Sequence, residues 1–233
     1  MKKFLAVLFV LLMVLSLGAC KKVAEEAEVA YDLSSKGQSN GKTVVSYDRA
    51  RIFYDEYNRL VDKYGKADLD GDTLKGVAVV RLLDFTGTGK YELYVAYADG
   101  TESYVNKQMI VGFDNGVGYL LDKDTSSVKA DIVSKATADA ETPSIWLYTG
   151  TSGRGYVVTG DNMNAEPVYN TYVRESKGEK VYTFQPEDIG AANGKTEKIN
   201  LTGLTEEDFS AITEENQRVI ESLRVQANKN TVK

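Results

Sequence analysis

The chain has 233 residues, 42% of them hydrophobic, with 28 basic and 34 acidic side chains that give a formal charge of −6 at pH 7. The apolar content is ordinary for a folded protein, and an acidic chain is a poor binder of nucleic acid. With no histidine and one cysteine, it excludes Ser-His-Asp and Cys-His catalysis, His-ligated zinc and an intramolecular disulfide.

Lys2 and Lys3 precede an apolar run from Phe4 to Leu17 that ends in small residues and a cysteine, the pattern of an export signal. The run falls short of the roughly 20 apolar residues of a permanent membrane helix, and no later segment is a candidate span. Leu17-Gly18-Ala19-Cys20 resembles the lipobox of bacterial lipoproteins. That resemblance implies cleavage before Cys20 and diacylglycerol on its thiol, so the membrane becomes a partner through the lipid anchor. Two or three acyl chains hold a protein durably where one is marginal. The expected organisation is a signal peptide at 1–19, a lipid-anchored flexible tether at 20–45 and a single α+β domain at 46–233. Losing Lys2 and Lys3 with the signal moves the formal charge from −6 to −8. The expected location is the bacterial cell membrane, facing the exterior, or the periplasm where there are two membranes.

The tether is charged and then rich in Ser, Gly and Asn, with little apolar periodicity before Thr43. From Ser46 to Tyr64, Ala50, Phe53, Tyr54, Tyr57, Leu60, Val61 and Tyr64 recur at intervals of three and four, which predicts an amphipathic helix with Ser46 as N-cap and Gly65 as stop. From Gly76 the period becomes two. "VAVVRLLDF", "YELYVAYA", "KQMIVGFD" and "VGYLLD" predict an antiparallel meander with that helix laid across it, and Asn115-Gly116 predicts a tight hairpin. After a polar, alanine-rich stretch at 125–142, "PSIWLYTG", "RGYVVTGD", "EPVYNTYVRE" and "EKVYTFQPE" predict further hairpin-like strands, either in the same sheet or in a second one. Thr205 and Thr213, each followed by acidic residues, predict two C-terminal helices with Phe209, Ile212, Val219, Ile220 and Leu223 as their apolar face.

Between the first two strands lies "DFTGTGKYEL". It fails as a Walker phosphate loop, because Asp84 stands where the first glycine belongs and Tyr91 where Ser or Thr would hold magnesium. As a cation loop it fits better, since Asp84, Thr86, Thr88, the Lys90 carbonyl and Glu92 lie two residues apart and Gly87 and Gly89 permit tight curvature. The stretch resembles the Asp-x-Asp-x-Asp-Gly-x-x-Asp/Glu-Leu calcium loop of FG-GAP and VCBS-type repeats. By that resemblance Asp84, Thr86, Thr88 and Glu92 supply side-chain ligands, with threonine at two positions where the family carries Asp or Asn. Two missing carboxylates imply weak calcium binding or a loop kept only as a turn, and no other cofactor is implied. Asp68, Asp70 and Asp72 make a second acidic turn, read as solvated.

No catalytic residues are assigned. The chemistries left open, paired carboxylates or a Ser-Lys pair, have no diagnostic motif here, which points away from an enzyme. Fifteen tyrosines and one tryptophan favour recognition. Trp146, Tyr148, Tyr156, Tyr169, Tyr172 and Tyr182 lie in predicted strands where alternation could turn some outward. A contiguous exposed patch of them would indicate ligand binding, and their burial a structural role. The expected function is a non-catalytic binding or envelope-assembly role with an envelope protein as partner. The alternatives are glycan or solute capture and, behind it, a carboxylate-dependent hydrolase.

Overall fold

The computed structural model describes residues 29–32, 42–45, 47–114, 117–123, 134–135, 143–159, 168–175 and 178–228. The lipobox, Cys20, Ser46 and the Asn115-Gly116 turn lie outside these residues. Among the described residues the architecture is α+β with antiparallel sheets and two α-helices, one of them C-terminal. No helix among the described residues is long and apolar enough to cross a membrane.

Within the stretch read as a tether, β1 (Val29–Asp32) pairs antiparallel with β2 (Lys42–Val45). The β-branched and aromatic residues of "VAYD" and "KTVV" are enough for a short ladder, where composition alone suggested none. Helix α1 (Tyr47–Tyr64) follows. Gly65 ends it as expected: its φ is +84° and its N–H bonds the Val61 carbonyl at 2.8 Å, the left-handed helix stop that favours glycine. A small ribbon of β3 (Asp68–Asp70) and β4 (Thr73–Lys75) leads into the first main sheet.

That sheet joins β5 (Val77–Leu83), β6 (Glu92–Tyr97), β7 (Lys107–Asp114) and β8 (Val117–Lys123) in chain order, all antiparallel, with Asp114 opposite Val117 at the last hairpin. The second sheet runs β13 (Gly178–Phe184), β12 (Val168–Glu175), β11 (Gly155–Thr159), β10 (Pro143–Thr149), β14 (Lys195–Asn200), with β9 (Ser134–Lys135) also on β10. The strands after residue 142 therefore build a second sheet.

Alternation explains how three layers form. Leu93, Val95 and Tyr97 join one cluster with Val80 and Leu82, Ala50, Phe53 and Leu60 of α1, and Val219 and Leu223 near the C-terminus. Tyr94 and Ala96, on the opposite face, join Ala78 and Ile110 in a cluster with Ile145, Leu147, Val157, Tyr172 and Ile199 of the second sheet. The meander is thus buried on both faces, and each fully buried Leu, Ile, Val or Phe stabilises it by about 1.5–3 kcal/mol.

The two predicted C-terminal helices are one helix, α2 (Glu206–Asn228). Thr205 caps it, accepting the Asp208 N–H at 3.2 Å while Asp208 accepts the Thr205 N–H at 3.0 Å. Thr213 does not start a second helix. Its hydroxyl bonds back to the carbonyls of Phe209 at 2.9 Å and Ser210 at 3.0 Å, the way a threonine is accommodated inside a continuing helix.

Candidate functional site: the Asp84 loop and the groove beside it

The loop between β5 and β6 brings together four of the residues singled out for a cation. Asp84 is 6% exposed and Glu92 2%. Asp84 accepts the N–H groups of Thr88 at 3.0 Å and Gly89 at 2.8 Å, and Gly87 (φ +68°) and Gly89 (φ +75°) supply the left-handed turns that let those amides point inward. The Thr86 hydroxyl lies 3.1 Å from Glu92 Oε1, 2.9 Å from the Thr88 hydroxyl and 3.4 Å from Asp84 Oδ1. Lys90 is exposed at the end of the turn. The side-chain set is two carboxylates and two hydroxyls. Among the described residues there is no group of three or more His, Cys, Asp or Glu that could hold a metal ion.

Glu92 is the electrostatic centre of the loop. It accepts the Phe85 N–H at 2.8 Å and the Thr86 N–H at 3.4 Å. Burial, with the Asp84 charge beside it, pushes its carboxyl up to about 7, against the opposing pull of Arg49 and of the Thr86 hydrogen bonds. Arg49 reaches in from α1, itself buried, to 3.9 Å from Glu92 Oε1. Its guanidinium donates to the carbonyls of Tyr91 at 2.6 Å and Phe113 at 2.8 Å and lies over the rings of Phe53 and Phe113.

The same loop ties the two sheets together. The Gly155 N–H bonds the Asp84 carbonyl at 2.9 Å. The Phe85 carbonyl accepts from Arg154 Nε at 3.1 Å and from the Thr171 hydroxyl. Phe85 meets Tyr172 edge-on, with ring centroids 5.6 Å apart.

The aromatic residues proposed as a binding face fall in two groups. Tyr148, Tyr156, Tyr169 and Tyr172 are buried. The first three interlock, Tyr148 and Tyr169 at 4.9 Å edge-on and Tyr148 and Tyr156 at 5.8 Å, on the outer face of the second sheet, where Ile189 and Ala191 pack over them. Burial, reinforced by Tyr169 and Tyr156, pushes the Tyr148 phenol up. Trp146 and Tyr182 are half-buried. The Trp146 indole donates to the Ser144 hydroxyl at 2.8 Å, and Lys198 Nζ sits 5.5 Å from its ring centre. These six residues do not form one contiguous exposed patch.

A groove of about 670 Å³ is lined by Arg81, Leu82, Leu83 and Asp84, by Lys195 to Asn200 of β14, and by Asp208, Glu215 and Arg218 of α2. Sequence reading passed over its key residues. Arg81, 6% exposed, holds Glu197 through Nε at 3.0 Å to both carboxylate oxygens and through Nη2 at 2.6 Å. Its Nη1 donates to Asn216 Oδ1 and to the Val80 carbonyl, each at 2.8 Å. One signal was available: an arginine inside the apolar run "VAVVRLLDF" has to be buried with partners, because a lone buried charge is too costly. Asn216 carried no comparable mark on a helix whose apolar face is modest.

Compared with protein-family models, with curated proteins and with solved structures, the chain matches none.

Proposed function

We propose that this chain is a bacterial envelope lipoprotein, anchored through diacylglycerol on Cys20, whose folded domain has a non-catalytic role in recognition or assembly. In this reading the amphipathic helix α1, packed on the meander, is the first substantial element after the tether. The observation that carries assembly over glycan or solute capture is the burial of Tyr148, Tyr156, Tyr169 and Tyr172. Aromatic rings that bind sugars must offer a face to solvent, whereas these are spent on packing.

Crosslinking in native membranes tests the reading. A protein partner captured reproducibly by the wild-type chain, and lost with Cys20→Ser, is the expected result. Capture of no protein, together with retention of the chain on immobilised glycans, would favour the glycan-capturing alternative.

The Asp84 loop belongs to the same proposal as a weak calcium site. The convergence of the Asp84, Thr86, Thr88 and Glu92 side chains supports it, and the proton that burial holds on Glu92 has to leave before a divalent cation binds, which keeps the site weak. At several millimolar calcium, a site with a millimolar Kd stabilises the fold by about 1 kcal/mol. For a domain of this size that raises Tm by roughly 2–4 °C. Asp84→Ala removes the shift. An unchanged Tm in the wild-type protein would take calcium out of the account.

A further inference from the structure

The outer face of the second sheet is crossed by the connection from β13 to β14. Those strands lie at opposite margins of the sheet, so residues 185–194 run from one margin to the other, and Ile189 and Ala191 place them over the face. Directly paired residues share a side of a sheet. One row beneath the crossing is Phe184 opposite Tyr169, Tyr169 opposite Val158, Val158 opposite Trp146 and Trp146 opposite Lys198, and Tyr148 opposite Tyr156 begins the next. This register is why Tyr148, Tyr156 and Tyr169 interlock under one segment.

The crossing segment is fastened mainly to itself. The N–H groups of Asp188, Gly190, Ala191, Asn193 and Gly194 bond the carbonyls of Gln185, Glu187, Pro186, Gly190 and Ala191 at 2.9–3.3 Å, and the Gln185 N–H bonds the Asp188 carboxylate at 3.0 Å. Among the described residues no backbone hydrogen bond ties it to a strand underneath. Pro186, Ile189, Ala191 and Gly194 are half-buried and the rest of the segment is exposed. It is also slack. Four strand spacings of about 4.8 Å and three residues along β14 put Phe184 and Lys195 roughly 21 Å apart, whereas the chain joining them reaches roughly 36 Å when extended. Segments with few buried contacts and backbone hydrogen bonds open to water are those that open locally while the core stays folded.

From these observations we propose that residues 185–194 form a strap that lifts from the second sheet without unfolding it, turning Tyr148, Tyr156 and Tyr169 from core into surface. Closed, as described above, the face offers no ring to a ligand. Open, it carries three phenols beside Trp146 and Phe184, residue types that dominate recognition surfaces. Gly194 seats the closed strap, because a Cβ there would fall inside the Tyr148 phenol. This goes beyond the recognition reading, which would survive a strap that never lifts.

The test is nitration of the full chain, solubilised in detergent under native conditions, with tetranitromethane, each tyrosine being followed by mass spectrometry of its peptide. Tyr148 is the reporter and Tyr172 the control. In the closed state Tyr148 is the less exposed of the two, 1% against 4%, and Tyr172 belongs to the cluster between the sheets, which the strap does not cover. The expected result is that Tyr148 is nitrated at least about tenfold faster than Tyr172, as local opening requires. Ile189→Ser, which removes the apolar anchor of the strap, speeds Tyr148 about a further tenfold and leaves Tyr172 unchanged. Ile189→Val gives the same direction at smaller size and keeps the comparison usable where Ile189→Ser does not fold. A wild-type rate at Tyr148 no higher than at Tyr172 would overturn the proposal, since both rings would then be reached only by unfolding. So would folded Ile189 variants in which Tyr148 gains nothing over Tyr172.

Discussion

Glu92 is the most buried carboxylate of the Asp84 loop and the one with the most unusual ionisation, and a prediction follows from the direction in which its proton affinity moves. Its folded carboxyl titrates near 7 and an ordinary glutamate at 4.5, so the folded chain keeps a proton that the unfolded chain has released. Stability from this source is complete below 4.5 and is lost as pH rises through 7. The full difference is about 3 kcal/mol, because each tenfold gain in proton affinity on folding is worth about 1.4 kcal/mol. Denaturant unfolding in metal-free buffer should show stability falling as pH rises from 4.5 through 7, and Glu92→Gln should flatten that slope. A wild-type slope of the opposite sign would contradict the environment described for Glu92. Asp99 behaves in reverse. Burial pushes its carboxyl up, but hydrogen bonds from Thr101 and Asn106 outweigh this and hold it down to about 2. Its contribution persists above 3.8 and is lost only as pH falls towards 2. Gly194 makes a third prediction. A methyl group there would overlap the phenol of Tyr148, which is 1% exposed and packed against Tyr156 and Tyr169. Gly194→Ala should destabilise by about 1–3 kcal/mol in chemical denaturation, the usual cost of overpacking, while Gly203→Ala, with nothing nearby, should show only the backbone cost of its positive φ.

Among the elements, α2 depends most on a single polar residue. Asn216 serves Val80, Ala78 and Arg81 at once, so Asn216→Leu leaves a buried N–H, a buried carbonyl and one guanidinium donor without that partner. A loss of about 2–4 kcal/mol is expected from equilibrium unfolding. Asn216→Asp should be milder at the acceptor side, since it still receives the Val80 and Arg81 donors, and worse at Ala78, whose carbonyl it would face with a negative charge.

The elements also divide by how much of them the sequence displayed. The stop of α1 at Gly65 and the cap of α2 at Thr205 were legible because each rests on local chemistry, a left-handed glycine and a hydroxyl paired with Asp208. The strands were legible through their period. Thr213 misled because a threonine before acidic residues resembles a helix start, and only back-bonding to Phe209 and Ser210 tells the two cases apart. The pairing of Val29–Asp32 with Lys42–Val45 was hidden by polar surroundings. For the candidate site, Asp84, Thr86, Thr88 and Glu92 were found from spacing. Arg49, Asn216 and Glu197 were not, because their importance comes from contacts across 42 to 138 positions of chain that no local pattern records, and Arg81 was marked only by its place in the apolar run "VAVVRLLDF", which does not name its partners. Outward-facing tyrosines were a reasonable expectation from alternation, and the segment carrying Ile189 and Ala191 closes over three of them.

At the scale of the described residues as a whole, the three layers pack on one another, and the Asp84 loop sits where α1, the meander and the second sheet meet. Through Arg49, Glu92, Asp84 and Arg154 the three layers share one polar junction, so loss of Arg49 should propagate. Arg49→Ala should lower Tm and also loosen the loop, which limited proteolysis after Lys90 would register. Cleavage of native and variant protein at equal rates would mean that α1 does not brace the loop.

Whether the proposed lipoprotein works tethered at the envelope is decided by isolating the protein from native membranes and determining the mass of its first residues. The expected product is a mature chain beginning at Cys20 with diacylglycerol on the thiol, partitioning into detergent, and a Cys20→Ser chain that does neither. A native chain that begins elsewhere, or carries an unmodified Cys20 and stays in the aqueous phase, would contradict it.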